Sequence, residues 1–182
     1  MSTSGIAIIG SGPTALYCLK HILDMRNSIL KRYKNISIFE SGKKMGVGMP
    51  YNEDTTDIFN LSNISSEEIP ELTQTLTEWL RLQTKDELSR LNITDFPIEK
   101  SKVYSRLALG AYFHSQYKVL IPRLKEAGFT IEEFTQSKVT DLIDDNKNTI
   151  TVVANNTSTH FSKVYIATGH HWNHEKDPPE SG

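Results

Sequence analysis

Apolar and polar positions follow two different periods along the chain, and the switches between them mark out the elements. Gly5-Ile6-Ala7-Ile8-Ile9 is a short unbroken apolar run, as expected of a strand buried on both faces of a parallel sheet. The period changes after Gly10. Leu16, Leu19, Ile22, Leu23, Met25, Ile29 and Leu30 recur at helical spacing, which predicts a helix from Thr14 to about Arg32. Ile36-Ser37-Ile38-Phe39 is a second strand, closed by Glu40. The next stretch, Ser41 to Tyr51, carries three glycines and no period, so it is a loop. Asn52 to Asn63 is polar and irregular, with Ile58, Phe59 and Leu61 as anchors. Ser65 or Ser66 caps a helix that starts near Glu67-Glu68 and continues through Leu72, Leu76, Trp79 and Leu80, and Lys85 to Leu91 forms a second, short helix. Trp79 fits packing better than stacking on a ligand.

A long helix follows from Ser105 to about Gly128, with Leu107, Leu109, Tyr112, Tyr117, Leu120 and Leu124 on its packing face. Pro122 lies deep in this pattern and predicts a kink or break near residues 118 to 122. Gly128 ends the helix and leads into a third parallel strand, Phe129 to Phe134. From Lys138 the pattern becomes short strands and polar turns: Val139 to Ile143, Thr149 to Ala154, then Ser158 to Phe161, a three-stranded antiparallel meander. Val164 to Ala167 returns as a buried parallel strand that stops at Thr168-Gly169. A simple dinucleotide fold has a helix where this meander stands. The expected class is therefore α/β, a Rossmann-like three-layer fold with a central parallel sheet, helices on one face and an antiparallel β-meander on the other.

The first strand, turn and helix carry the chemistry. Gly10 bends the chain where a Cβ has no room, Gly12 lets the backbone approach a diphosphate, and Ala15 keeps the helix close to the strands. The helix N-terminus offers unpaired N–H groups and its positive dipole to phosphate, and Pro13 costs no hydrogen bond in the first turn. Glu40, at the tip of the neighbouring strand, is placed to accept two hydrogen bonds from ribose hydroxyls and would repel a 2′-phosphate. Two readings of the glycine loop after Glu40 stand side by side: a flexible surface loop, or a loop folded over the nucleotide with Lys43 or Lys44 near phosphate. Arg106 likewise reaches either a phosphate or carboxylate, or a surface ion pair.

Composition narrows the rest. The chain has 182 residues, 37% of them apolar and 23% charged, with a formal net charge of −2. That suits one globular domain and argues against an extended nucleic-acid face. Cys18 is the single cysteine, which excludes an internal disulfide and fits a reducing compartment. Within its helix Cys18 is expected to be structural. No apolar run is long enough to span a bilayer and the N-terminus enters a strand without a charged leader, so a cytoplasmic protein without membrane partners is expected. His170, His171 and His174 have ligand-like spacing, but no helix aligns them and a fourth ligand is missing. A loop or tail is the simpler reading, and no metal is expected.

The segments Ile8-Ile9-Gly10-Ser11-Gly12-Pro13-Thr14-Ala15, Phe39-Glu40, Gly46-Val47-Gly48-Met49-Pro50-Tyr51 and Tyr165-Ile166-Ala167-Thr168-Gly169-His170 together resemble the N-terminal part of FAD/NAD(P)-binding Rossmann-type flavoproteins. They are most similar to the group described simply as FAD-NAD(P)-binding proteins, distant relatives of flavin-dependent N-hydroxylating monooxygenases. The resemblance implies a cofactor site of Gly10, Gly12, Pro13, Thr14, Ala15, Glu40, Ser41, Gly48, Arg106, Val139, Thr168 and Gly169. In it the glycine turn takes the FAD pyrophosphate, Glu40 the adenosine ribose and the Val139 backbone the adenine, while Thr168 and Gly169 close over the cofactor. Arg106-Leu107-Ala108-Leu109-Gly110-Ala111-Tyr112 matches the group's R-x-x-x-G-x-Y stretch. The implied organisation is an FAD/NAD(P)-binding domain over residues 1–170 with a helical insertion at about 64–92, and a flexible tail over 171–182.

Family members continue beyond the Ala-Thr-Gly strand and return with a Gly-Asp segment that holds the flavin end. This sequence stops soon after His174. The expected function is the FAD-binding portion of a flavin-dependent oxidoreductase, monooxygenase-like and reduced by NAD(P)H. The alternative is a nucleotide-binding or sensing module, or a subunit completed by another chain or by a further C-terminal region. No side chain stands out as a catalytic acid, base or nucleophile.

Overall fold

The computed structural model describes residues 5–144 and 148–170. Strand β1 (Gly5–Ile9) is followed by helices α1 (Pro13–Asp24) and α2 (Arg26–Ile29) and by strand β2 (Asn35–Phe39). The intervening segment to residue 105 carries 3-10 turns at Met49–Tyr51 and Ser66–Glu68 and helices α3 (Leu76–Arg81) and α4 (Lys85–Arg90). Helix α5 (Arg106–Glu126) leads to β3 (Thr130–Phe134), then β4 (Val139–Asp144), β5 (Ile150–Ala154), β6 (Thr157–Phe161) and β7 (Lys163–Ile166).

Four parallel strands form one sheet in the order β3-β2-β1-β7, and β4-β5-β6 form an antiparallel sheet. Alternation along β1 and β2 assigns the two faces. Ile6, Ile8, Ile36 and Ile38 join Leu16, Leu19, Leu109, Tyr112, Leu120 and Leu124 in one buried cluster beneath α1 and α5. Ala7 and Phe39 face the other way, into a smaller cluster with Val152, Ala154 and Phe161 of the meander. Phe39 stacks on Phe134 at 5.0 Å and meets Phe161 edge-on at 6.0 Å, contacts worth about 0.5–1.5 kcal/mol each beyond area burial. The three layers are those the hydrophobic pattern predicts.

The element boundaries differ at three places. The helix expected to run to Arg32 breaks at Met25, which is 45% exposed rather than part of the buried stripe. Asn27 and Ser28, weak helix formers, follow the break. The helix expected from Glu67 is a single 3-10 turn, because Pro70 forces Ile69 into the extended region (ψ 116). A new helix then starts at Leu76. Conversely, α5 continues through Pro122. The carbonyl that Pro122 leaves without an amide partner is that of Lys118, an exposed residue.

The helical insertion shares the main core. Leu76, Trp79, Leu80, Leu88 and Ile93 belong to the same cluster as α5, and Trp79 packs edge-on to Tyr112 at 6.0 Å. A strap before it runs antiparallel to residues 102–106: Ser62 and Ser66 donate their amides to the carbonyls of Tyr104 and Lys102, each at 2.9 Å.

Candidate functional site

The parallel strands bring their C-terminal ends to one rim, and three of them are joined there by backbone bonds. Gly10 donates its N–H to Phe39 O at 2.8 Å, and Ala167 donates to Ile9 O at 2.7 Å. Gly10 has φ +93, and a Cβ on it would lie 2.3 Å from Ala167 O. Only glycine fits that bend. Thr168 is exposed, with its Cα 3.2 Å from the same Cβ position, while Gly169 (φ +70) stands in open space.

Gly12 is the N-cap of α1 and offers no side chain to the helix; Pro13 occupies the first turn and no acid is present there. The first-turn amides are therefore uncapped by any side chain, with Thr14 exposed and Ala15 fully buried against the sheet. The requirement for glycine at position 12 has an additional source. A Cβ there would sit 3.0 Å from Gly48 Cα, and one on Gly48 (φ +80) would sit 2.8 Å from Pro13 Cδ. The two glycines face each other across a backbone contact.

That contact speaks against a loose surface loop. Residues 42–51 fold against the turn and are anchored along their length. Gly46 N–H donates to Ser11 Oγ at 3.0 Å, and His114 Nδ1 donates to Met45 O at 2.7 Å. Burial pulls His114 below the usual histidine range, against the effect of that bond. Gly110 of α5 packs so closely on Tyr51 that a Cβ would overlap its carbonyl at 2.1 Å. Gly46 lies over Tyr117, whose phenol donates to Glu133 at 2.8 Å and is pushed far above its usual range by burial and by that carboxylate. Lys43 and Lys44 are both exposed.

Glu40 sits at the centre of this rim and is met by protein donors. Its Oε2 accepts the Ser11 N–H at 3.0 Å and the Ser11 hydroxyl at 2.6 Å. Its Oε1 accepts the Gly42 N–H at 2.8 Å and, at 3.3 Å, the hydroxyl of exposed Ser41. On the far side, Ser137 N–H donates to Glu40 O at 2.8 Å, which brings the start of β4 and Val139 alongside. Gly10, Gly12, Pro13, Ala15, Glu40, Ser41, Gly48 and Thr168 are thus gathered at one rim, with Val139 on its flank. Arg106 is directed elsewhere: its guanidinium braces the strap through Leu61 O at 3.1 Å and Asn63 Oδ1 at 3.4 Å. Tyr112 is fully buried and donates to Gln74 O at 2.7 Å.

Ser11 is the residue that sequence reasoning passes over. It is fully buried and bonds two other segments, at Glu40 and Gly46, and its only signal is a hydroxyl between two glycines in a chain whose next strand ends in an acid. A separate polar depression, lined by Asp144, Asn148, Thr149, Ile150 and Ser162, lies at the opposite end of the sheet, where Ser162 N–H meets Gly5 O at 3.1 Å. It shares no residue with the rim. Cys18 is half-buried, and burial raises its thiol. Among the described residues no cluster of histidine, cysteine and acidic side chains is arranged to hold a metal, and no helix is long and apolar enough to cross a membrane. His171 and His174 lie outside the described residues.

The sequence profile of the FAD-NAD(P)-binding family matches residues 7–171. The uncharacterized protein YdhS of Escherichia coli (strain K12) is 33% identical over 173 residues, covering 94% of this chain and 32% of its own length. The chain therefore spans about a third of that relative. Among solved structures, S-allyl-L-cysteine S-oxygenase from Allium sativum superposes with a TM-score of 0.54 at 14% identity, over 91% of this chain and 36% of that one. Tmm from Pelagibacter sp. strain HTCC7211 gives 0.52 at 16% identity, over 92% and 36%. At these identities the likeness is one of fold.

Proposed function

The chain belongs to the FAD-NAD(P)-binding family, and we propose that its rim binds the adenosine diphosphate half of FAD within a flavin-dependent oxidoreductase. The observation that carries this reading is the junction of an uncapped α1 N-terminus with an acid at the tip of β2, tied together by the two Ser11–Glu40 hydrogen bonds and braced by the Gly12–Gly48 contact. Uncapped amides and a helix dipole suit a diphosphate. A carboxylate one strand away suits a ribose and disfavours a 2′-phosphate. In this reading Gly10, Gly12, Pro13, Thr14 and Ala15 form the diphosphate turn and Gly48 holds it from outside. Glu40 and Ser41 meet the sugar, Val139 flanks the adenine, and Thr168 and Gly169 border the path toward the flavin. Arg106 acts through the strap. The bound flavin supplies the redox chemistry, with NAD(P)H as its reductant and a monooxygenase-like reaction as the outcome. A cytoplasmic location belongs to the same proposal.

The flavin half of the site requires more polypeptide than this rim provides. Strand β7 pairs with β1 on one side and forms the sheet edge on the other, exposing Ile166 (67%) and Tyr165 (39%) there. This favours a second reading: residues 1–170 act as a nucleotide-binding unit that another chain, or a further region of a longer protein, completes. Calorimetric titration of the purified chain with ADP and with FAD tests both. The expected result is saturable binding of ADP, with FAD bound no more than about tenfold more tightly, since 1.4 kcal/mol is little for a ring system held by few contacts. Absence of any ADP binding would overturn the site. FAD bound several orders of magnitude more tightly than ADP would show that the chain holds the flavin by itself.

A further inference from the structure

We infer that Ser11 is a positioning residue that sets the geometry of Glu40 for a nucleotide ribose and leaves one carboxylate oxygen available to it; the inference rests on the nucleotide reading of the rim. A serine hydroxyl has one proton and two lone pairs, and here both kinds of capacity are used. The proton goes to Glu40 Oε2 at 2.6 Å, and a lone pair receives the Gly46 N–H at 3.0 Å. The Ser11 amide adds a second bond to Oε2 at 3.0 Å. A short hydroxyl bond to a carboxylate is charge-assisted and among the stronger kinds. Ser11 is 0% exposed, so solvent does not compete for its bonds.

The two oxygens of Glu40 are consequently unequal. Oε2 holds two donors from one buried residue. Oε1 holds the Gly42 amide and an exposed Ser41 hydroxyl at 3.3 Å, which is long for a bond between oxygens. A ribose hydroxyl gains Oε1 by displacing the long bond of the exposed Ser41 hydroxyl, while Ser11 keeps the carboxylate plane fixed. The Ser11 hydroxyl also accepts the Gly46 N–H, but the loop keeps its other anchors at His114, Gly110 and Gly12, so loss of the hydroxyl bears first on Glu40. The geometry thus supports one strong ribose bond to Glu40 rather than the two expected from the sequence.

The test is a comparison of ligands across variants, by calorimetry on the full chain. The ligands are ADP and 2′,3′-dideoxyadenosine diphosphate, which lacks both ribose hydroxyls. Ser11→Ala should weaken ADP about tenfold or more, the scale of a hydrogen bond to a charged group, while changing the dideoxy ligand by less than about twofold. Ser11→Cys, which is slightly larger and carries only a weak donor, should give the same split. Glu40→Ala should erase the preference for ADP, and adding Ser11→Ala to it should weaken ADP no further. The α4 cap variant Thr84→Ala, remote from the rim, controls for loss of stability. Equal weakening of both ligands by the Ser11 variants, or no weakening of either, overturns the inference while leaving the nucleotide site intact. Wild-type protein that binds neither ligand overturns the site as well.

Discussion

The N-terminus of α1 and those of α3, α4 and α5 solve the same problem in opposite ways. Every helix begins with backbone amides that lack an intrahelical partner. Thr75 and Thr84 close α3 and α4 with reciprocal capping boxes: each hydroxyl accepts the amide of Glu78 or Glu87, and each of those acids bonds back to the threonine. Ser105 caps α5 by accepting the Ala108 N–H at 3.1 Å and donates to Leu91 O at 2.6 Å. At α1 the cap is Gly12, without a side chain, followed by proline and no acid. The four-residue α2, which follows directly on α1, also has no side-chain cap, but among the longer described helices α1, which starts on the sheet rim beside Glu40, is the one left uncapped. On α3, α4 and α5 a side chain secures the helix end; at α1, under the proposed diphosphate reading, a capping side chain would be in the ligand's way.

The largest expected effect falls on the uncapped end. Gly10→Ala places a Cβ 2.3 Å from Ala167 O at φ +93, and the turn and the end of β7 cannot both keep their positions. A loss of about 3 kcal/mol or more is expected in urea unfolding. A wild-type-like midpoint would mean that the turn is looser than the geometry shows. Gly12→Val acts differently from a plain obstruction of phosphate, since its side chain also meets Gly48 Cα at 3.0 Å. It should displace the loop, abolish ADP binding and lower the melting temperature together. Loss of binding with full stability would assign Gly12 to the ligand alone.

Next in size is Glu40→Ala, expected to cost ADP about 1–3 kcal/mol of affinity. Unchanged calorimetric affinity would remove the carboxylate from the site. At the capped ends, Thr75→Ala and Ser105→Ala should each lower stability by about 1 kcal/mol and leave ADP affinity at the wild-type value. A cap variant that weakened ADP would contradict the separation between the two kinds of helix end.

The layers of the fold were legible because they depend on period. Apolar runs separated by glycine, helical stripes and a meander in place of a crossover helix are local facts, and they carried the sheet and its two faces. The breaks at Met25 and Pro70 were less legible, because apolar residues continue at helical spacing past both and only the backbone decides. At the candidate site, Gly10, Gly12 and Glu40 stand out by spacing, and Gly48 through the resemblance that its loop carries. The facing of Gly12 and Gly48 does not, because it is a contact between two loops that neither announces. Arg106 illustrates the opposite case. Its surroundings in the sequence suited a phosphate ligand or an ion pair equally, and the structure turns it to one carbonyl, Leu61 O, and one side-chain amide, Asn63 Oδ1, of the strap.

The smallest effect separates charge from hydrogen bonding in the caps. Glu78 and Glu87 are held below the usual carboxylate range by their bonds to Thr75 and Thr84, backbone first and hydroxyl second. An acid with a lowered folded pKa contributes stability that is complete above its unfolded pKa, about 4.3, and is lost as pH falls through the folded value. Glutamine keeps the acceptor that reaches back to the threonine but carries no charge. The Glu78→Gln/Glu87→Gln double variant should therefore be less stable than wild type at pH 7, with a gap that closes below about pH 4 as the native acids take up protons. Urea midpoints measured from pH 7 to pH 3 give that gap directly. A gap constant across the series would assign the boxes to hydrogen bonding alone, and the positive ends of α3 and α4 would then be no guide to how α1 treats a diphosphate.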